Sequence, residues 1–84
     1  MNISKIEQRV LHALAQGGLI RHIRDGNEVI SAECFTREGY LLVDCSLEIF
    51  QKLRRRRLIE SRNGTPYRIS TFGRRAVRAQ LDNR

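Results

Sequence analysis

Four side chains, His12, His22, Cys34 and Cys45, are the candidates for nucleophilic or metal chemistry in this 84-residue chain. A nucleophile needs a base within hydrogen-bond reach, and a zinc site is usually built on close pairs of ligands. Neither spacing occurs: ten residues separate the cysteines, and there is no Cys-x-x-Cys or His-x-x-x-His. A zinc site from His12, His22, Cys34 and Cys45 therefore lacks its ligand pairs, and the cysteines read as two small buried hydrophobes. His12 falls opposite the apolar stripe of its helix and reads as exposed. His22 sits in a short strand as a surface or half-buried residue. No glycine loop of the phosphate-cradling kind is present, so no catalytic residue, metal or cofactor is expected.

The remaining chemistry is that of charge. Lys and Arg number 16 against 9 Asp and Glu, a net charge of +7, and fourteen of the sixteen bases are Arg. Residues 1–50 sum to −2, whereas residues 51–84 sum to +9. A fold that keeps this asymmetry carries a positive face, suited to a polyanion or an acidic protein surface. The candidate binding residues are Arg54, Arg55, Arg56, Arg57, Arg62, Arg68, Arg74, Arg75 and Arg78. Arg74 and Arg78 share a helix face at i,i+4 spacing. Four consecutive arginines on a helix span most of its circumference, so not all of them can touch one ligand. Basic side chains at a helix C-terminus also complement its dipole.

The elements that must position these residues are legible in outline. Ser4-Lys5-Ile6-Glu7 is a capping box, followed by an apolar stripe of Ile6, Val10, Leu11, Ala13 and Leu14, and Gly17-Gly18 ends a helix over about 4–16. Residues 19–24 and 28–35 read as strands around the turn Asp25-Gly26-Asn27. Thr36 to Gly39 is a loop, and Tyr40 to Val43 is either another strand or a buried turn. Tyr40 and Tyr67 read as core-rim residues, with some room for base stacking at Tyr67. A second helix starts near Asp44 or Ser46, buries Leu47, Ile49, Phe50 and Leu53, and runs into Arg54–Arg57. Strands over 58–62 and 67–70 flank the hairpin dipeptide Asn63-Gly64. Thr71 caps a last helix over about 72–81, with Phe72, Val77 and Leu81 on its inner side.

The length allows one small domain over residues 1–84. No apolar run reaches the roughly 18 residues of a membrane span, and the N-terminus lacks a signal-peptide pattern. A cytoplasmic protein with reduced thiols and no membrane partner is the expectation. The fold class is α+β, in the order α-β-β-(β)-α-β-β-α. From Leu47 to Leu81 a basic helix, a tight two-stranded wing and a final helix resemble winged-helix proteins. There a helix enters the major groove and wing arginines reach phosphates or the minor groove. A β-hairpin stands where the second helix of a helix-turn-helix would lie. A winged-helix DNA-binding transcriptional regulator is thus one reading.

A whole-chain resemblance gives another. Arg24-Asp25-Gly26, Ala32-Glu33-Cys34, Thr36-Arg37-Glu38-Gly39, Asp44-Cys45, Asn63-Gly64, Pro66-Tyr67-Arg68-Ile69 and Arg78-Ala79-Gln80-Leu81-Asp82-Asn83-Arg84 resemble the YjhX family of small bacterial proteins. The resemblance implies a non-enzymatic toxin of a toxin–antitoxin pair that binds and inhibits bacterial DNA topoisomerase I, with an acetyltransferase-like antitoxin as partner. It places no inhibitory residues on the chain. Whether DNA, the enzyme or both meet the basic half stays open at this level.

Overall fold

The computed structural model describes residues 2–82, and the side chains within that range up to Val77. Three helices and five strands follow one another: α1 (Lys5–Ala15), β1 (Leu19–Asp25), β2 (Glu28–Phe35), β3 (Leu41–Leu42), α2 (Leu47–Arg55), β4 (Ile59–Glu60), β5 (Arg68–Ile69) and α3 (Thr71–Asp82). Both sheets are antiparallel, one ordered β1-β2-β3 and the other β4-β5. A single bridge between Ile20 and Tyr67 joins them.

The capping box closes α1: Glu7 N–H donates to Ser4 Oγ at 3.1 Å, and Ser4 N–H donates to Glu7 Oε1 at 3.2 Å. Val10, Leu11 and Leu14 of the expected stripe are buried and Ala13 is half-buried, but Ile6 is replaced by Glu7. Glu7, Val10, Leu11 and Leu14 face inward, while Ile6 is 44% exposed. The helix is rotated so that the capping carboxylate, not the isoleucine, takes the first inward position. α1 packs against α3 and also meets β5 and α2.

The β1–β2 hairpin turns at Gly26, whose φ of +66° is followed by a non-positive φ at Asn27, the pattern of a type II′ turn. Ile30 is an extra residue on β2, because Ile23 pairs with Ser31 and Arg24 with Val29. Of the two readings for residues 40–43, the strand holds for Leu41–Leu42. Tyr40 is 72% exposed and Val43 83%, so neither is a core-rim side chain.

Ser46, not Asp44, caps α2, accepting from Ile49 N–H at 3.2 Å. The helix stops inside the arginine run. Arg57 takes φ +61°, its N–H donates to Arg54 O at 3.0 Å, and Leu58 N–H donates to Leu53 O at 3.0 Å. These two bonds are a Schellman motif, completed by the buried pair Leu53 and Leu58. A non-glycine residue in this conformation costs about 1–2 kcal/mol, against a chain-entropy cost of roughly 0.5–1 kcal/mol for glycine. Arg57→Gly is therefore expected to stabilise the fold by about 0.5–1 kcal/mol, read as a higher urea midpoint at unchanged m-value.

The strands of the β4–β5 hairpin, called the wing only as a label, are shorter than expected, two residues each, because Ser61 to Thr65 are taken up by the turn. Asn63 (φ +53°) and Gly64 (φ +78°) give a type I′ turn closed by Thr65 N–H to Arg62 O at 3.1 Å. α3 is capped by Ser70 and not by Thr71. Ser70 Oγ accepts from Gly73 N–H at 2.9 Å and donates to Arg57 O at 2.7 Å, tying the last helix to the Schellman corner. Gly73 sits against Leu58: an added Cβ would lie 2.2 Å from Leu58 O. Val77 is buried, but Phe72 is 45% exposed, because Gly73 takes the inward position against Leu58. Leu81, placed inside from sequence, lies outside the described side chains.

The core holds Val10, Leu11, Leu14, Ile20, Cys34, Phe50, Leu53 and Leu58, with Tyr67, Ile69 and Val77 at its margin. Tyr67 is 6% exposed and meets Phe50 edge-on, ring centroids 4.9 Å apart. It is a packing residue, closed to base stacking.

Candidate functional site

The candidate binding arginines divide into groups with different surroundings. Arg54 and Arg55 occupy the last turn of α2 and, with Gln51, line an open hollow of about 500 Å³. Arg62 stands exposed on the wing turn, and Arg68 is exposed on β5, across the ladder from Glu60. None of these four forms an ion pair among the described residues. The bases that are paired lie elsewhere: Arg9 with Asp44, Lys52 with Glu48 and Arg56 with Glu7.

Arg56 does not belong with its neighbours. Its guanidinium reaches across to Glu7 Oε2 at 3.5 Å and donates to the Asn2 carbonyl. The Glu7 side chain is only 3% exposed. The run of four arginines is therefore a helix end, a structural clamp and a left-handed corner, with two side chains left for a ligand at the helix end. Arg57 is exposed at that corner. Arg74 and Arg75 are on α3, where Arg74 donates to Ala15 O at 3.5 Å, against the end of α1. Arg78 lies outside the described side chains.

Arg24 is a member that the charge count of the second half missed. It lies on β1, yet both Arg24 and Arg54 act on His22. Burial first, then these two guanidinium groups, hold His22 below its ordinary pKa. The imidazole faces Phe50 with ring centroids 6.5 Å apart and Tyr67 edge-on at 5.0 Å, and its Nδ1 is buried without a hydrogen-bond partner. The signal in the sequence was Asp25-Gly26: a two-residue turn brings Arg24 back beside β2, while the Ile20–Tyr67 bridge sets β1 next to the wing.

Cys34 and Cys45 are buried, free and mutually hydrogen-bonded. The ladder explains the meeting, since Cys34 pairs with Leu42 and Cys45 N–H donates to Leu42 O at 3.2 Å. That hydrogen bond, then burial, raises the Cys34 pKa, so this thiol keeps its proton. Among the described residues no group of three or more potential ligands could hold a metal. No described helix is long and apolar enough to cross a membrane.

What emerges is an exposed arginine surface on α2 and the wing, backed by an aromatic cluster. Such a surface binds anionic groups through charge-assisted, frequently bidentate hydrogen bonds. Comparison with known proteins places the chain. The chain is 68% identical over 84 residues to a UPF0386 protein of Brucella anthropi, covering all of both chains. It is 65% identical over 85 residues to one from Beijerinckia indica, again covering all of both. A Caulobacter vibrioides UPF0386 protein is 59% identical, with all of this chain covering 93% of that one. No solved structure matches. A family model described as "putative toxin of bacterial toxin-antitoxin pair" matches residues 1–84 from end to end, and the chain belongs to this family, the YjhX toxins.

Proposed function

We propose that the protein is a non-enzymatic, cytoplasmic toxin that inhibits bacterial DNA topoisomerase I by laying its arginine surface on the enzyme's DNA, on the enzyme, or across both. An acetyltransferase-like antitoxin would be its counterpart. The observation that carries this reading is the exposure of Arg54 and Arg55 on one turn of α2, free of ion pairs among the described residues. A fixed acidic neighbour would neutralise them; without one they are available to phosphates, whose contacts release counterions and make affinity fall with salt.

The element order supports a winged-helix-like use of this surface. α2 is followed by the β4–β5 hairpin, and β1 joins the wing through Ile20 and Tyr67. In this reading α2 presents Gln51, Arg54 and Arg55 to a groove while Arg62 reaches phosphate from the wing tip. Strands β1 to β3, and not a helix, stand between α1 and α2. The same order favours a second reading, a DNA-binding regulator, which requires a discrete footprint.

The test is relaxation of supercoiled plasmid by purified topoisomerase I across a salt series. Replacing Arg54 and Arg55 with Gln is expected to weaken inhibition at least tenfold. It is also expected to lower the salt slope of DNA binding by about 2, at roughly 0.9 per phosphate contact. Undiminished inhibition by the double variant would remove the site assignment. An enzyme complex that forms equally well at high salt without DNA would remove the DNA-bridged mechanism.

A further inference from the structure

The free edge of β1 holds backbone groups that the fold leaves open. Ile20 exchanges both of its backbone bonds with Tyr67, N–H to Tyr67 O at 2.9 Å and O from Tyr67 N–H at 2.8 Å. Along an antiparallel strand, successive residues turn these groups to alternate sides. Ile20 thus sets the direction for His22 and Arg24, whose N–H and C=O point away from β2. The bulge does not upset this alternation, because the extra residue, Ile30, is on β2 and β1 runs regularly.

The wing does not follow. Continuing the bridge would set Thr65 opposite His22. Thr65 is already engaged within the turn: its N–H donates to Arg62 O at 3.1 Å, and its carbonyl accepts from Ser61 Oγ. Pairing therefore stops after one bridge, and among the described residues no backbone group meets the β1 edge at His22 or Arg24. The gap is a groove of about 360 Å³, walled by Arg21, His22 and Ile23 on one side and by Gly64 and Pro66 on the other, with Ser31 and Glu33 beside it.

An open edge invites another strand unless charge, proline or a bulge on that strand blocks it. Here the block is charge alone, and its sign is selective. Arg24 and Arg54 are the two charges that act on His22, both positive. Acidic side chains opposite Arg24 would be drawn in, and Arg21 stands on the other face of the strand. Ile23, 56% exposed between the two arginines, offers an apolar contact to an alternate residue.

We propose that the β1 edge at His22–Arg24 is a strand-addition site for an extended, acidic segment of a partner protein. The incoming strand donates to the open carbonyls of His22 and Arg24 and accepts from their N–H groups. Its carboxylates meet Arg24 on the face shared with His22, and its apolar side chains cover Ile23 on the opposite face. The site uses backbone groups of β1 and adjoins the exposed end of α2, whose Arg54 acts on His22.

The experiment uses the full chain, ¹⁵N-labelled, and a seven-residue peptide of alternating Glu and Val with blocked ends. Saturable shifts and slowed hydrogen exchange at the His22 and Arg24 amides are expected. The same peptide with alternate amides N-methylated, keeping every charge, is expected to bind at least tenfold more weakly. Arg24→Pro removes one outward N–H without touching the β2 ladder and is expected to abolish binding. Arg24→Gln keeps the backbone and is expected to lose about two- to fivefold, in line with a rim charge. Three results would overturn the proposal: no saturable shift up to millimolar peptide; shifts confined to Arg54, Arg55 and Arg62 and indifferent to N-methylation; or concentration-dependent protection of the same amides without peptide, which means self-pairing.

Discussion

Gly73→Ala is expected to destabilise the protein by roughly 3 kcal/mol, the upper part of the range for forcing an atom into a packed site. The sign is informative, because an open helical position gives the opposite result. Replacing glycine by alanine within a helix ordinarily gains about 1 kcal/mol of propensity. At Gly73 the new Cβ would stand 2.2 Å from the Leu58 carbonyl oxygen and 2.8 Å from Ile69 Cγ1. The first neighbour is backbone, and that carbonyl already accepts from Ser70 N–H at 3.0 Å. It cannot yield without breaking the joint between α3 and the corner after α2. Urea unfolding checks this: the midpoint should fall sharply at constant m, while Arg75→Ala on the exposed side of α3 stays within about 0.5 kcal/mol of the parent. A Gly73→Ala protein as stable as the parent would show that α3 docks differently.

The second large effect concerns Arg56. Arg56→Gln is expected to cost about 2 kcal/mol, because it leaves the Glu7 carboxylate buried without its cation. The Arg56 side chain is 38% exposed, so the loss falls short of the roughly 3–5 kcal/mol seen when a fully buried pair is broken. Ser4 N–H still donates to Glu7, which limits it further. Glu7→Gln keeps a side chain that serves in a capping box while removing the charge. The double variant should therefore recover part of the loss, with a coupling of about 1–2 kcal/mol in a double-mutant cycle. If Arg56 instead belonged to the ligand surface, its removal would lower the salt slope of DNA binding. Here the slope is expected to stay unchanged while stability falls, the reverse of the expected outcome at Arg54 and Arg55.

These contrasts show how far the sequence could be read. Ser4 and Glu7, Asp25-Gly26 and Asn63-Gly64 act through residues next to them in the chain, and the structure uses each where local chemistry places it. Ile6 and Phe72 were misplaced because Glu7 and Gly73, one residue on and about 100° round each helix, take the inward positions. Four identical residues give no local sign of where a helix ends, so the arginine run read as continuous. The corner at Arg57 is held by Ser70, 13 positions on, and Gly73 packs against the neighbouring Leu58 carbonyl. Arg56 was assigned to a binding surface because its partner stands 49 positions away, and the Cys34–Cys45 meeting was hidden for the same reason of pairing. The charge asymmetry was plain in composition; its division into free, clamped and distant arginines required the fold.

The lone bridge between Ile20 and Tyr67 also bears on the order of assembly. Its closure joins strands 47 positions apart in the chain, and the entropy of closing such a loop must be met before any contact rewards it. The β1–β2 hairpin, turning on two residues, faces no such delay and can form in about 1–10 μs. The wing docks only when α2 has been laid down between them. The hairpin is thus expected to form before Arg62 and Arg68 are brought to the same surface as Arg54 and Arg55.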